Sequence, residues 1–171
     1  LDKIIAVEPD RLSVFNYAHM PDMFKVQRQM KSEDLPPPEV KLQILQRSIE
    51  QLTAAGYVYI GMDHFAKPDD DLAIAQRENK LYRNFQGYST HSECDLIGLG
   101  VTSIGSVGDS YSQNQRTLEN YANSIQNDEL PVFRGFTLND DDKIRRIVIT
   151  RLICHFALDI ESIEKELNIT F

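Results

Sequence analysis

Two short runs of β-branched and aromatic residues, Arg11–Ala18 and Tyr57–Met62, bracket an amphipathic stretch at 39–55. That alternation constrains the fold more than any other feature of the chain. Leu42, Leu45, Ile49 and Leu52 recur at helical spacing and give the stretch one apolar face, and Gly56 follows as a stop. Such a face needs a sheet to bury it. Strand, helix, strand in this order predicts a βαβ unit with its two strands parallel, and hence an α/β class.

The rest of the chain adds shorter elements. Leu1, Ile4 and Ile5 have the spacing of a helix tail. The segment 21–38 is polar, carries a triple proline, and predicts a long loop with a helical turn near Phe24–Met30. Pro68 with Asp69, Asp70 and Asp71 opens a helix reaching about Asn79, its acids facing the positive end of the helix dipole. Residues 81–90 allow strand or loop. Glycines at 98, 100, 105 and 108 weaken any strand over 95–109 and suit a place where another backbone or a ligand comes close. Helices are expected at 117–126, after a capping box at Thr137–Asp140, and around Ile160–Leu167. Helices predominate beyond about residue 115, so the expected division is 1–115 and 116–171. Apolar periodicity runs into both ends, and the expectation is a piece of a longer protein.

Charge narrows the partners. The formal net charge is −8 at pH 7, which disfavours a phosphate-backbone ligand. The last two helices have helix-turn-helix spacing, but Glu161, Glu164 and Glu166 against Lys165 make a poor recognition helix. No apolar run is long enough to cross a bilayer, and the N-terminal residues lack the plan of a signal peptide. Cys94 and Cys154 form neither a disulfide framework nor a zinc spacing, and two free thiols suit a reducing cytoplasm.

Ligands of parallel α/β folds gather at the carboxyl ends of strands. That rule selects Asn16, Tyr17, Ala18 and His19, and then Asp63, His64 and Phe65. These groups either contribute chemistry or tether loops. The stretch Gly98–Gly105 matches neither dinucleotide nor Walker spacing and lacks the lysine, so backbone packing or an apolar contact to a flat ligand is the better reading.

Several motifs, in order, resemble one family. They are Asp10–Pro21 (DRLSVFNYAHMP), Gly61–Ala66 (GMDHFA), Arg83–Thr90 (RNFQGYST), Asp95–Gly100 (DLIGLG), Tyr111–Gln115 (YSQNQ) and Asp142–Arg146 (DKIRR). Together they resemble the oxygen-independent coproporphyrinogen III oxidases, radical S-adenosylmethionine (SAM) enzymes of haem biosynthesis. The resemblance implies an α/β fold: the C-terminal part of an incomplete radical-SAM (β/α) barrel, followed by the start of a mainly helical domain. It implies a [4Fe-4S] cluster, two SAM molecules, coproporphyrinogen III as substrate, and an unidentified reductant or electron acceptor. The cluster motif of the family, C-x3-C-x2-C, is not in this sequence, so the cluster ligands are expected outside it and the isolated piece is expected to be inactive and prone to self-association. Ala18 and Ile104 are implied SAM contacts. Phe85 and Gln86 are implied parts of the second SAM pocket. No metal ligand and no catalytic residue is assigned within the chain. The alternative within the same superfamily is a haem chaperone that binds and transfers haem.

Overall fold

The computed structural model describes residues 1–92 and 94–171. They form two compact units, Leu1–Glu78 and Asn79–Phe171.

In the first unit a short helix α1 (Asp2–Ile5) leads to strand β1 (Arg11–Ser13). A loop with two 3₁₀ turns follows, Lys25–Gln29 and Ser32–Asp34. Helix α2 (Pro38–Ala54) starts on a proline, whose missing N–H costs nothing in a first turn, and ends before Gly56 at φ +91°. Strands β2 (Val58–Gly61) and β3 (His64–Ala66) and helix α3 (Asp71–Arg77) complete the unit. Asp70 caps α3 by accepting from the Leu72 N–H.

The core is built from Leu52, Tyr57 and Phe65, with Ile5, Leu12, Val14, Ile49 and Tyr59 packed around them. Only the C-terminal half of α2 reaches it. Leu52 is buried, whereas Leu42 and Ile44 stay exposed. The expected βαβ pairing needs one correction. β1 and β2 do run the same way, but they are not neighbours: the sheet order is β1-β3-β2, and β3 is antiparallel to both. The turn Met62–Asp63 folds β3 back between them, with Met62 at φ 50°. β1 is also shorter than expected. The chain from Val14 to Met20 takes no part in the sheet ladder.

The second unit begins with a hairpin, β4 (Tyr82–Asn84) and β5 (Gly87–Ser89). A three-stranded antiparallel sheet follows: β6 (Ile104–Val107), β7 (Ser110–Asn114) and, beyond helix α4 (Leu118–Gln126), the edge strand β8 (Val132–Thr137). Helix α5 (Asp140–His155) and helix α6 (Ile160–Leu167) close the chain. The capping box of α5 is Asn139 with Asp142, shifted two residues from the expected Thr137–Asp140. β7 precedes residue 115 and β8 follows it, so one sheet spans the position of the composition shift.

The glycine-dense stretch is a close approach of two backbones. A Cβ on Gly98 would lie 2.9 Å from Ser103 Cβ and 3.0 Å from the Ile104 carbonyl oxygen. One on Gly105 would lie 3.0 Å from the Leu96 carbonyl oxygen. Buried Asn114 fastens the stretch by donating through Nδ2 to the carbonyls of Gly98 and Gly100, each at 2.9 Å.

Candidate functional site

The β4–β5 hairpin carries its loop on two residues, Phe85 and Gln86, because Asn84 pairs directly with Gly87. Asn84 Oδ1 accepts from the Gln86 N–H at 2.8 Å, and Gly87 sits at φ +131°. These local bonds hold two exposed side chains at a defined place. The Phe85 ring meets the Tyr111 ring edge-on, with centroids 5.1 Å apart at 83°.

Ile104 opens β6 opposite Gln113 and is half-buried. Phe85 and Ile104 share the wall of one cavity of about 340 Å³ with Tyr111, Gln113, Arg134 and Phe136. Arg134 Nε donates to Gln113 Oε1 at 2.8 Å, which gives the cavity one polar corner. An apolar and aromatic wall with one guanidinium–amide corner fits part of a nucleoside or amino-acid ligand. A second cavity, about 470 Å³, is also lined by Phe85 and Tyr111, together with Arg83, Arg145 and Arg146.

Ala18 belongs to the first unit. It is exposed, and a single side chain fixes its backbone: Gln27 Nε2 donates to the Ala18 carbonyl at 3.1 Å while Gln27 Oε1 accepts from the Met20 N–H at 2.5 Å. At the other candidate strand end, Asp63 accepts from Ser13 Oγ at 2.5 Å and lies 3.1 Å from His64 Nδ1. Burial opposes ionisation of Asp63, but the Ser13 hydroxyl and the His64 imidazole outweigh it, so its carboxyl lies below the usual range. Asp63 thus ties β1 to the β2–β3 turn. The structure brings Phe85, Gln86 and Ile104 into one unit, with Phe85 and Ile104 on one wall. Tyr111, Asn114 and Arg83 also shape this region, and no spacing in the sequence marks them.

The cysteines do not fit a cluster. Among the described residues no group of three or more His, Cys, Asp or Glu could hold a metal ion. Cys154 is fully buried, and burial pushes its thiol up to about 11 despite the nearby Arg83; Cys94 is exposed. Iodoacetamide at about pH 8 is therefore expected to modify Cys94 and spare Cys154 in the folded chain, with both reacting after denaturation. Mass spectrometry of the two peptides checks this, and native modification of Cys154 would contradict it. The raised thiol also sets a sign. The stabilisation it carries is present below 9.0 and is lost as pH rises toward about 11.

No family model matches the chain. Over all 171 of its residues it is 57% identical to an oxygen-independent coproporphyrinogen III oxidase of Pseudomonas aeruginosa and 52% identical to one of Escherichia coli. A Synechocystis protein of the same name is 50% identical. In each case the chain spans 37% of the relative's length. The structure matches a solved one described as coproporphyrinogen III oxidase (HemN) from Escherichia coli, a radical SAM enzyme. The TM-score is 0.92 and the identity 51%, over 98% of this chain and 39% of that one. The mixed helix-and-sheet fold is thus that of a part of a radical SAM enzyme, and the names of the relatives do not favour the haem-chaperone alternative.

Proposed function

We infer, from a chain related throughout its length to oxygen-independent coproporphyrinogen III oxidases, that it is a segment of such an enzyme. The observation that supports this best is the fold match at 0.92 with 51% identity, covering 98% of the chain. The reaction is oxidative decarboxylation of two propionates of coproporphyrinogen III to vinyls. Each propionate gives up one hydrogen atom, carbon dioxide leaves, and one electron passes to an acceptor of unidentified class. When bound, the cluster and SAM supply the hydrogen-abstracting radical. The thiols of this chain do not suit the cluster, and its ligands belong elsewhere in the protein.

The chain's own residues act on binding. Ala18 presents a small side chain, so that a SAM molecule can approach the backbone that Gln27 holds. Ile104, in the second unit, offers an apolar wall to a SAM molecule. Phe85 and Gln86 take the second SAM, Phe85 by ring contact and Gln86 by an amide that both donates and accepts. Among the described residues no helix is long and apolar enough to cross a membrane. We adopt a cytoplasmic enzyme as the reading, by likeness to the relatives. The chain alone, with β8 exposed on every residue, self-associates.

The test uses the full-length protein with its cluster. It should convert coproporphyrinogen III to protoporphyrinogen under anaerobic reduction. Gln86→Ala should keep reductive cleavage of SAM to deoxyadenosine and lose decarboxylation, with about 1–3 kcal/mol lost at the second SAM site. A wild-type protein that binds haem tightly and decarboxylates nothing would refute the enzyme reading. Unchanged decarboxylation in Gln86→Ala would refute the role of Gln86.

A further inference from the structure

Three arginines are among the residues lining the cavity of about 470 Å³, Arg83, Arg145 and Arg146. Two are already matched. Arg145 Nε bonds Asp141 Oδ2 at 2.6 Å. Arg146 Nη2 bonds Asp109 Oδ1 at 3.0 Å, and its Nη1 donates to the Gly108 carbonyl at 3.4 Å. The carboxylate that lines the cavity, Asp142, is engaged in the cap of α5, where it accepts from the Asn139 N–H.

Arg83 is different. Its guanidinium lies over the Tyr88 ring at 4.7 Å. Its Nη1 is buried and has no hydrogen-bond partner among the described residues. The neighbouring Cys154 thiol, raised to about 11, carries no charge at neutral pH to answer it. A buried donor without an acceptor is costly, and native proteins generally fill such a place with a partner, a water or a ligand. The group that best matches a planar guanidinium fork is a carboxylate. Phe85, Tyr111, Ile149 and Ile153 supply aromatic and aliphatic wall around it. This lining suits a flat ring that carries a carboxylate on a short aliphatic arm.

We propose that Arg83 is the carboxylate anchor of a substrate subsite, in which the cavity takes one pyrrole ring of the tetrapyrrole and Arg83 holds its propionate. The proposal rests on the decarboxylase reading above and adds the residue and the group it binds. The anchored propionate is one that the product retains. Charge-assisted bonds stabilise the carboxylate, and leaving as neutral carbon dioxide would forfeit them. Arg83 therefore positions the substrate and takes no part in bond breaking.

The probe is coproporphyrin III, the oxidised and unreactive form of the tetrapyrrole, with its tetramethyl ester as the carboxylate-free control. Each is titrated by fluorescence into the full-length protein. The free acid should bind, and the ester should bind about tenfold more weakly or worse. Arg83→Gln should weaken the free acid about tenfold without changing the ester, and Arg83→Lys should fall between, because it keeps the charge and loses the fork. Lys165→Gln, the same charge change on the exposed side of α6, should leave both affinities unchanged. Equal binding of acid and ester, or wild-type affinity in Arg83→Gln, overturns the anchor. If Arg83→Gln does not fold by circular dichroism, wild-type affinity in Arg83→Lys overturns it instead. Decarboxylation by the wild type, measured alongside, separates the two readings. Turnover with an indifferent Arg83 sinks the anchor alone, whereas no turnover sinks the proposed function.

Discussion

Ile104→Asp, in the full-length protein, is expected to abolish SAM binding and decarboxylation together. Ile104 is half-buried on the wall it shares with Phe85. Its strand has little freedom to turn a new side chain away. Gly98 already lies so close that a Cβ there would come within 3.0 Å of the Ile104 backbone, and Asn114 holds Gly98 in place. A carboxylate at this position breaks the apolar wall beside Phe85 and, on the function proposed above, faces an apolar ligand surface. With Gln113 and Arg134 on the same cavity as polar neighbours, the cost is roughly 1–3 kcal/mol rather than that of a wholly unpartnered group. Ile104→Val keeps the chemistry and should cost about 0.5–1.5 kcal/mol. Equilibrium dialysis of SAM, with deoxyadenosine formation, reads both variants. Normal SAM binding by Ile104→Asp would show that the wall does not touch the ligand.

Phe65→Ala is expected to lower the unfolding free energy by about 3–5 kcal/mol, against a total of only about 5–15 kcal/mol for a typical domain. Phe65 is 1% exposed and is the largest fully buried side chain. It sits in the central strand of its sheet, opposite Leu12 on one side and Tyr59 on the other, with the Tyr59 ring 5.2 Å away. Its loss leaves a hole bounded on two sides by paired backbone, which cannot collapse to fill it. Urea unfolding followed by circular dichroism should give a lower midpoint with an unchanged slope. Leu42→Ala, on the exposed part of α2, should move the same midpoint by no more than about 0.5 kcal/mol. Comparable losses from the two would mean that Phe65 does not hold the core.

The contrast between those two leucine-rich and aromatic positions shows what a sequence discloses. The period of α2 was legible from Leu45, Ile49 and Leu52, and the helix forms where that period lies. The period could not tell that Leu42, on the same stripe, would stay exposed. β3 was not legible because three residues are too few to display alternation, and without β3 two strands of like direction read as neighbours. β8 escaped for a different reason. All of its residues are exposed, so no inward–outward alternation is written into it, and Gly135 interrupts what remains. The α5 cap was ambiguous because Asp140, Asp141 and Asp142 stand in a row, and only geometry picks Asp142. Phe85, Gln86, Ile104 and Ala18 came from resemblance rather than from periodicity. Arg83 opens one of the resembling motifs, but its role came from neither, because an unmatched donor becomes visible only when its surroundings are folded.

The two-residue hairpin loop has a consequence for how this segment can vary through evolution. Asn84 and Gly87 are paired, so Phe85 and Gln86 occupy all of the space that the turn allows. One inserted or deleted residue would rotate the loop and shift strand register, and a one-residue slip turns every side chain of a strand to the opposite face. Tyr88 would lose its place under Arg83, and Phe85 its place beside Tyr111. Here selection can exchange one side chain for another but cannot tolerate a change of length. The loop between β1 and α2 carries no such ladder pairing, and beyond Met30, past the Gln27 and Arg28 side chains that hold Ala18, Met20 and Pro21, it has room for both kinds of change. Gaps among functional descendants should therefore collect in that loop and avoid the hairpin.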